Sequence, residues 1–329
     1  MTNAIIFAIL STIKIGVVIG LLLLVIAYLI WVERKVMAHM QVRLGPMRVG
    51  WHGLLQPVAD GLKLILKEDI IPANASKILF IVSPAIAMIP ALLTIAVIPF
   101  GDTISIMGVS SDMVITDVNI GILFILAVSS VGVYGILLGG WASNNKYSLL
   151  GGLRSSAQMM SYELSMGLSL IGVIMMTESL SLVDVVNAQT ELWFVVLQPL
   201  AFVVYAISAI AEPNRCPFDL PEAETELVSG FHTEYSSMKF ALFFMAEYAN
   251  IITVSAVGVT FFFGGWQGPF LPPVVWFLIK LALCIFFFVW LRSTFPRFRI
   301  DQLMQFAWKI LLPAAIVNVL ITAVVMALL

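Results

Sequence analysis

An all-α, polytopic membrane fold with about eight transmembrane helices is what this sequence predicts, and three observations carry the expectation. The 329-residue chain is 61% hydrophobic and only 11% charged, with a mean hydropathy of +1.05, whereas soluble domains carry roughly 25% charged residues. Apolar runs close to the roughly 20 residues that cross a bilayer recur along it, parted by short polar segments. These runs do not alternate in polarity over about ten residues, as barrel strands do. Lipid is therefore the solvent, and a helix is the element that satisfies its own backbone there.

The expected spans lie at about 4–32, 78–100, 118–140, 156–177, 191–211, 239–263, 273–293 and 306–328. The first has no basic leader region and is too long for a signal peptide, so it reads as a span. Positive charge then orients the set. Arg34, Lys35, Arg43, Arg48, Lys63, Lys67 and Lys77 lie in or beside the first connection, Lys146 and Arg154 in the third. Arg215 and Lys239 lie in or beside the fifth, and Arg292, Arg297 and Arg299 in or beside the seventh. Connections 101–117, 178–190 and 264–272 contain no Lys or Arg. The odd connections are thus expected in the cytoplasm and both termini on the periplasmic side.

The first connection, 34–77, is long enough to hold structure. In GLLQPVADGLKLILKED (53–69), Leu54, Leu55, Val58, Leu62 and Ile65 follow helical spacing, while Gln56, Asp60, Lys63 and Lys67 occupy another face. That predicts an amphipathic helix on the membrane surface or against a partner. Trp31 and Trp51 suit interface anchors. Neither an internal repeat nor a low-complexity linker breaks the chain, so residues 1–329 form a single membrane domain. It carries an acidic cytoplasmic loop at 211–238.

Several chemistries are absent from the pattern. Cys216 and Cys284 are too few for an iron–sulfur cluster or a disulfide framework. His39 and His52 lack metal-ligand spacing, and no metal site is expected. No phosphate-binding glycine loop, catalytic triad or dinucleotide fingerprint occurs. A net charge of −2 gives no nucleic-acid footprint.

What remains is ionisable groups in unexpected places. Glu163, in SYELSMGLSL, lies about 12 Å into the fourth span at 1.5 Å per residue. Glu247, in FFMAEYAN, lies at similar depth in the sixth. Charges inside spans are disfavoured by about 2.5–3.5 kcal/mol each, and they face a bundle interior or a wet path. Two carboxylates at matching depth suit a proton relay; a hydrogen-bonded structural role is the plainer reading. Lys14 and Lys280, deeper toward the outer side, pair with acids, carry protons or snorkel along their own stems. Ser161, Ser165, Gly167, Ser169 and Gly172 allow close helix approach beside Glu163.

The loop FDLPEAETELVSG (218–230) concentrates acid. Between 211 and 238 stand Glu212, Asp219, Glu222, Glu224, Glu226 and Glu234 against the single base Arg215. Pro221 suits a first helical position and Gly230 a position just past a helix end, so a short helix is expected there. Acids in its first turn favour the helix dipole, which accounts for Glu222 and Glu224 only. The others either sit in solvent or line a wet cavity leading to Glu247 and Glu163.

The stretches ERKVMAHMQVRLGP, LLQPVADGLKLILKE, GGWASNNKYSLLGGLRSSAQMMSYELSMG and AEPNRCPFDLPEAETELVSGFHTEYSSMKFALFFMAEYANI resemble the H-subunit family of bacterial proton-pumping NADH:quinone oxidoreductase, respiratory complex I. The likeness runs nearly end to end and includes the mitochondrial NADH dehydrogenase subunit 1. It implies a multi-pass protein of the bacterial cytoplasmic (inner) membrane, at the heel of the membrane arm. With peripheral subunits of the hydrophilic arm it would form the chamber where quinone, the substrate, is reduced. NADH, FMN and iron–sulfur clusters would belong to partner subunits only. Small membrane-arm subunits, antiporter-like subunits and lipids would be further neighbours.

By position, the resemblance places Glu33, Arg34, Lys35, Arg43, Asp60 and Glu68 near the quinone entrance. Phe218, Asp219, Glu222, Glu224, Glu226, Glu234 and Tyr235 would belong to the loop under the chamber, and Glu212, Glu163 and Glu247 to the proton path. The chain departs from the family at Pro213, where Thr is usual, and at Met47, where Asn is usual. The anchoring component of an ion-translocating membrane-bound hydrogenase would share the fold. A standalone proton-coupled carrier would also account for the buried acids.

Overall fold

The computed structural model describes residues 2–106, 109–220 and 224–328, so Glu222 lies outside the described residues. Helix α1 runs Thr2–Met40 and α2 Gln56–Leu66; α3 (Lys77–Leu93), α4 (Gly121–Ala142) and α5 (Lys146–Thr177) follow. Between α3 and α4 a small antiparallel hairpin, β1 (Thr103–Ile106) and β2 (Val109–Asp112), pairs Thr103 with Asp112. It leaves the all-α class unchanged. Then come α6 (Leu182–Asn187), α7 (Phe194–Leu197), α8 (Pro199–Ala211), α9 (Glu224–Leu227), α10 (Ser237–Phe262) and α11 (Pro273–Thr294). The chain ends in α12 (Ile300–Phe306), a π turn at Ala307–Leu311 and α13 (Leu312–Leu328).

Seven helical segments among the described residues are long and apolar enough to cross a membrane. The fifth expected span, 191–211, is the exception. Pro199 has no backbone N–H to donate, and Gln198 before it leaves the helical region at φ −129°, ψ 60°. The span is thus split into α7 and α8. The Gln198 side chain fills the gap with polar contacts: its Nε2 donates to the Gly172 carbonyl and Thr322 Oγ1, each at 3.1 Å. Asn318 Nδ2 donates back to Gln198 Oε1 at 3.1 Å.

Helix α10 is the axis of the bundle. It is buried over most of its length and touches α1, α2, α3, α6, α8 and α11. Beside it α3, α4 and α5 pack tightly through small residues; a Cβ at Gly135 would come within 2.5 Å of the Ala87 nitrogen. Helix α5 starts ten residues before the expected span and is about 48 Å long, more than the roughly 30 Å hydrocarbon core. Glu163 therefore sits near its middle.

Helix α2 forms within the expected 53–69 stretch, started by Pro57 in its first turn. Its apolar stripe, Val58, Leu62 and Ile65, stays on the outside of the chain. The polar residues Gln56 and Asp60 turn inward instead, toward α1.

Candidate functional site

Helices α1, α2 and α10 enclose an apolar cavity of about 170 Å³. Ile26, Ile30, Leu64, Phe240, Ala241 and Phe244 contribute to its walls. One end is polar: Arg34 Nη1 meets Asp60 Oδ2 at 2.7 Å, and Gln56 Nε2 donates to Asp60 Oδ1 at 3.1 Å. An apolar lining with polar groups among it suits an apolar molecule with a polar head.

Glu33 is next to Arg34 in sequence but not in space. Successive residues of a helix point about 100° apart, so Arg34 and Lys35 leave toward the surface while Glu33 turns into the bundle. There it is buried and accepts from Tyr248 Oη and Arg292 Nη1. Arg215 Nη1 lies 3.9 Å away, and Arg215 Nη2 meets Glu247 Oε2 at 3.3 Å. The Arg215 guanidinium also covers the Tyr248 ring at 4.3 Å and the Phe244 ring at 5.3 Å. Two arginines and two glutamates from four segments thus form a charge-balanced interior cluster. Burying such groups is tolerable only when they are paired in this way.

From Glu247 a small cavity of about 20 Å³, lined also by Asn214 and Asn250, leads to Glu212. Glu212 lines a second cavity too, about 30 Å³, shared with Ser129, Tyr205, Asn250 and Thr253. Both are large enough for ordered water and carry polar groups to hold it. Ser129 and Ser130 in turn donate to Glu163 Oε1, Ser129 at 3.4 Å. Glu212, one residue past α8, is buried with Oε2 unpartnered by any described group. Burial pushes its carboxyl up to about 8, and the charge of Glu163 adds to the rise. It therefore holds its proton at neutral pH.

An interior run of acids beside an apolar cavity is the arrangement that known relatives can be compared with. The family model described as "NADH dehydrogenase" matches residues 13–323. The chain is 56% identical to the NADH-quinone oxidoreductase H subunit numbered 1 in Geobacter sulfurreducens, covering 96% of this chain and 94% of that one. It is 56% identical to the H subunit numbered 2 in Geobacter metallireducens (96% and 95% covered) and 52% identical to the one numbered 2 in Rhizobium meliloti (95% and 96%). The chain belongs to the H-subunit family of NADH-quinone oxidoreductase.

The remaining acids of this H-subunit chain are distributed rather than pooled. Asp219 is buried and paired with Arg297 at 2.9 Å. Glu226 pairs with Arg154 at 2.7 Å near the surface, and Asn145 Nδ2 donates to Glu234 at 2.7 Å. Glu224 opens the one-turn helix α9; its side chain, like all of Glu222, is outside what is described. Gly230 stands two residues beyond Val228 and begins a 3-10 turn at φ 59°. Phe218 packs between Tyr162 and Phe298, both centroids 5.7 Å away. Tyr235 stacks on Phe80 at 4.0 Å, and burial raises its phenol to about 12. Glu68 is exposed and meets Ser236 through its backbone carbonyl, while Arg43 is exposed against Gln41.

Reading along the chain misses Arg215, Tyr248 and Arg292 as partners of Glu33. It also misses Gln158, whose Nε2 donates to the carbonyls of Ala211 and Phe218, each at 2.9 Å, and so ties down the segment carrying Glu212 and Arg215. A basic residue in the last turn of α11 is visible in sequence; that it faces α1 is not. Among the described residues no group of His, Cys, Asp and Glu could hold a metal ion.

Proposed function

We propose that this chain forms the membrane-side wall of the quinone chamber in a proton-pumping NADH:quinone oxidoreductase and carries the first part of the acidic path that couples quinone reduction to proton translocation. The observation that carries the reading is Glu212: a buried acid that lines both small cavities, and so joins the Glu247 side to the Glu163 side. The α1/α2/α10 cavity receives the isoprenoid part of the quinone, and the Arg34–Asp60 pair marks its mouth. Quinone is the substrate; NADH, FMN and the iron–sulfur clusters belong to partner subunits. The peripheral quinone-site subunits cover the acidic loop, and small and antiporter-like membrane subunits continue the arm. The chain lies in the bacterial inner membrane with both termini periplasmic, as the distribution of Lys and Arg supports.

The chemistry follows from who shares a charge with whom. Reduced quinone develops negative charge and takes up two protons beside the loop. That field acts on Arg215, the guanidinium common to Glu33 and Glu247. When Arg215 turns toward new negative charge, Glu247 loses its cation and gains affinity for a proton. Water in the two cavities then connects Glu247 to Glu212, and Glu212 to Glu163 through Ser129. Likeness to the H-subunit relatives over nearly whole chains favours this reading over a hydrogenase anchor or a standalone carrier.

A photoreactive quinone tests the chamber: it is expected to label residues around Ile26–Arg34 or Ala241–Met245, and labelling of partner subunits alone would contradict it. Glu247→Gln and Glu163→Gln test the path. Each assembled variant is expected to lose coupled quinone reductase activity; wild-type turnover and pumping in both would overturn the relay.

A further inference from the structure

Among the described residues, Lys280 is the buried lysine, and the proposed path does not use it. It lies on α11, seven residues past Pro273, or about 10 Å in from the outer end of that helix. Its ammonium donates to the carbonyls of Phe263 at 2.6 Å, Gly265 at 3.0 Å and Gln267 at 2.6 Å. Three acceptors match the three N–H bonds of an ammonium; a neutral amine would leave one carbonyl unmet. The Trp193 ring lies 4.5 Å from Nζ and the Trp276 ring 5.9 Å, which favours the cation further.

The cage is held by more than the lysine. Gly264 and Gly265 adopt positive φ, 70° and 51°, which turns their carbonyls as needed. Gln189 holds the same turn from the other side: its Oε1 accepts from Gly264 N at 3.0 Å and its Nε2 donates to the Thr260 carbonyl at 2.8 Å. Neutral amide contacts thus secure the turn alongside the lysine.

Between this charge and the Glu212 cavity stands an aromatic layer. Tyr205 and Phe261 line that cavity. Phe262 packs on Tyr205 at 5.3 Å and on Phe202 at 5.4 Å, and Phe263, whose carbonyl binds Lys280, packs on Phe202 at 5.3 Å. Phe261 and Phe262 are fully buried. Outward from Glu212 a proton would thus meet a dry aromatic layer and then a fixed positive charge held by dipoles.

We propose that Lys280, its carbonyl cage and this aromatic layer form an outer insulating plug, which keeps protons and small cations from crossing between the acidic path and the periplasmic side. A fixed positive group excluding protons from a pore is a known device of membrane channels. The proposal rests on the acidic-path reading for what it insulates, and the test separates the two.

The complex carrying Lys280→Met is reconstituted in liposomes with an internal pH dye, and proton influx is driven by a potassium diffusion potential without NADH. Influx is expected to rise about tenfold over wild type, the low end of what a fixed charge does to local counter-ion concentration. Quinone reductase turnover with uncoupler present is expected to be unchanged, and Lys280→Arg is expected to restore tightness. Membranes as tight as wild type in Lys280→Met would overturn the plug. Adding Glu212→Gln decides the conduit: closure of the leak supports both readings, whereas a persisting leak keeps the plug and counts against Glu212 as the path. Should Lys280→Met fail to assemble, Trp193→Leu uncovers one face of the ammonium. A smaller leak is expected, and none would overturn the plug.

Discussion

The Arg215 end and the Lys280 end of this molecule both bury charge, but they satisfy it in opposite ways. At the first, Arg215 is shared between Glu33 and Glu247, and Arg292 backs Glu33 from another helix. At the second, Lys280 is held by three backbone carbonyls and two indole rings. Side-chain charges that share a partner can exchange it when the field changes. A charge held by carbonyl dipoles has nothing to exchange. One end is built to respond and the other to stay.

Breaking the shared cluster is expected to have the largest effect. Arg215→Ala takes the guanidinium from two buried carboxylates, and a destabilisation of about 3–5 kcal/mol follows, read as lost assembly or a lowered thermal midpoint. Arg215→Lys does not rescue it, because a point charge cannot serve Glu33 and Glu247 from one planar fork. Retention of full assembly by Arg215→Ala would mean that the two glutamates are neutral in the resting state.

Filling the α1/α2/α10 cavity comes next. Gly61 lines the α1/α2/α10 cavity and has nothing near a built Cβ. Gly61→Phe is therefore expected to assemble, to raise the quinone KM several-fold and to leave electron entry from NADH to an artificial acceptor unchanged. An unaltered KM would remove the cavity from the quinone route.

Smaller effects are expected at the loop rim. Asp219→Asn weakens the pair in which the buried carboxylate meets the partly exposed Arg297 guanidinium, for about 1–3 kcal/mol. Glu226→Gln, paired with Arg154 at the surface, costs less than about 0.5 kcal/mol. If Glu226→Gln proved as damaging as Arg215→Ala, the division between a responsive interior and a solvated rim would fail.

Much of this is legible in the sequence. The spans follow from apolar runs, and Glu163 and Glu247 stand out because charge inside such runs is disfavoured. The break in the fifth span is legible too, in the dipeptide Gln198-Pro199, once the proline is weighed against the length of the run. The amphipathic helix is legible, but the direction of its faces is not: its apolar stripe points out of the chain, and Asp60 turns toward Arg34. The shared cluster is not legible, because Glu33 meets Tyr248 and Arg292 across 215 and 259 residues of sequence. Lys280 reads as a snorkelling or acid-paired lysine because its true partners are backbone carbonyls, which every residue possesses and no sequence pattern marks.

From its residues alone Glu212 reads as one acid of a loop, and only the family resemblance sets it on a proton path; in the fold it lines two cavities. Its proton is held up to about 8, far above the roughly 4.3 of a free glutamate. The sign is set by that rise: the acid is neutral at pH 7 and loses its proton as pH climbs through about 8. The most direct measurement is proton pumping and quinone reductase turnover of the assembled complex carrying Glu212→Gln, followed from about pH 6 to 9. Coupled turnover is expected to fall about a hundredfold at pH 7, the lower range for a lost proton-transfer group, and the alkaline limb near pH 8 is expected to vanish. Wild-type turnover and pumping with the alkaline limb intact would contradict the account.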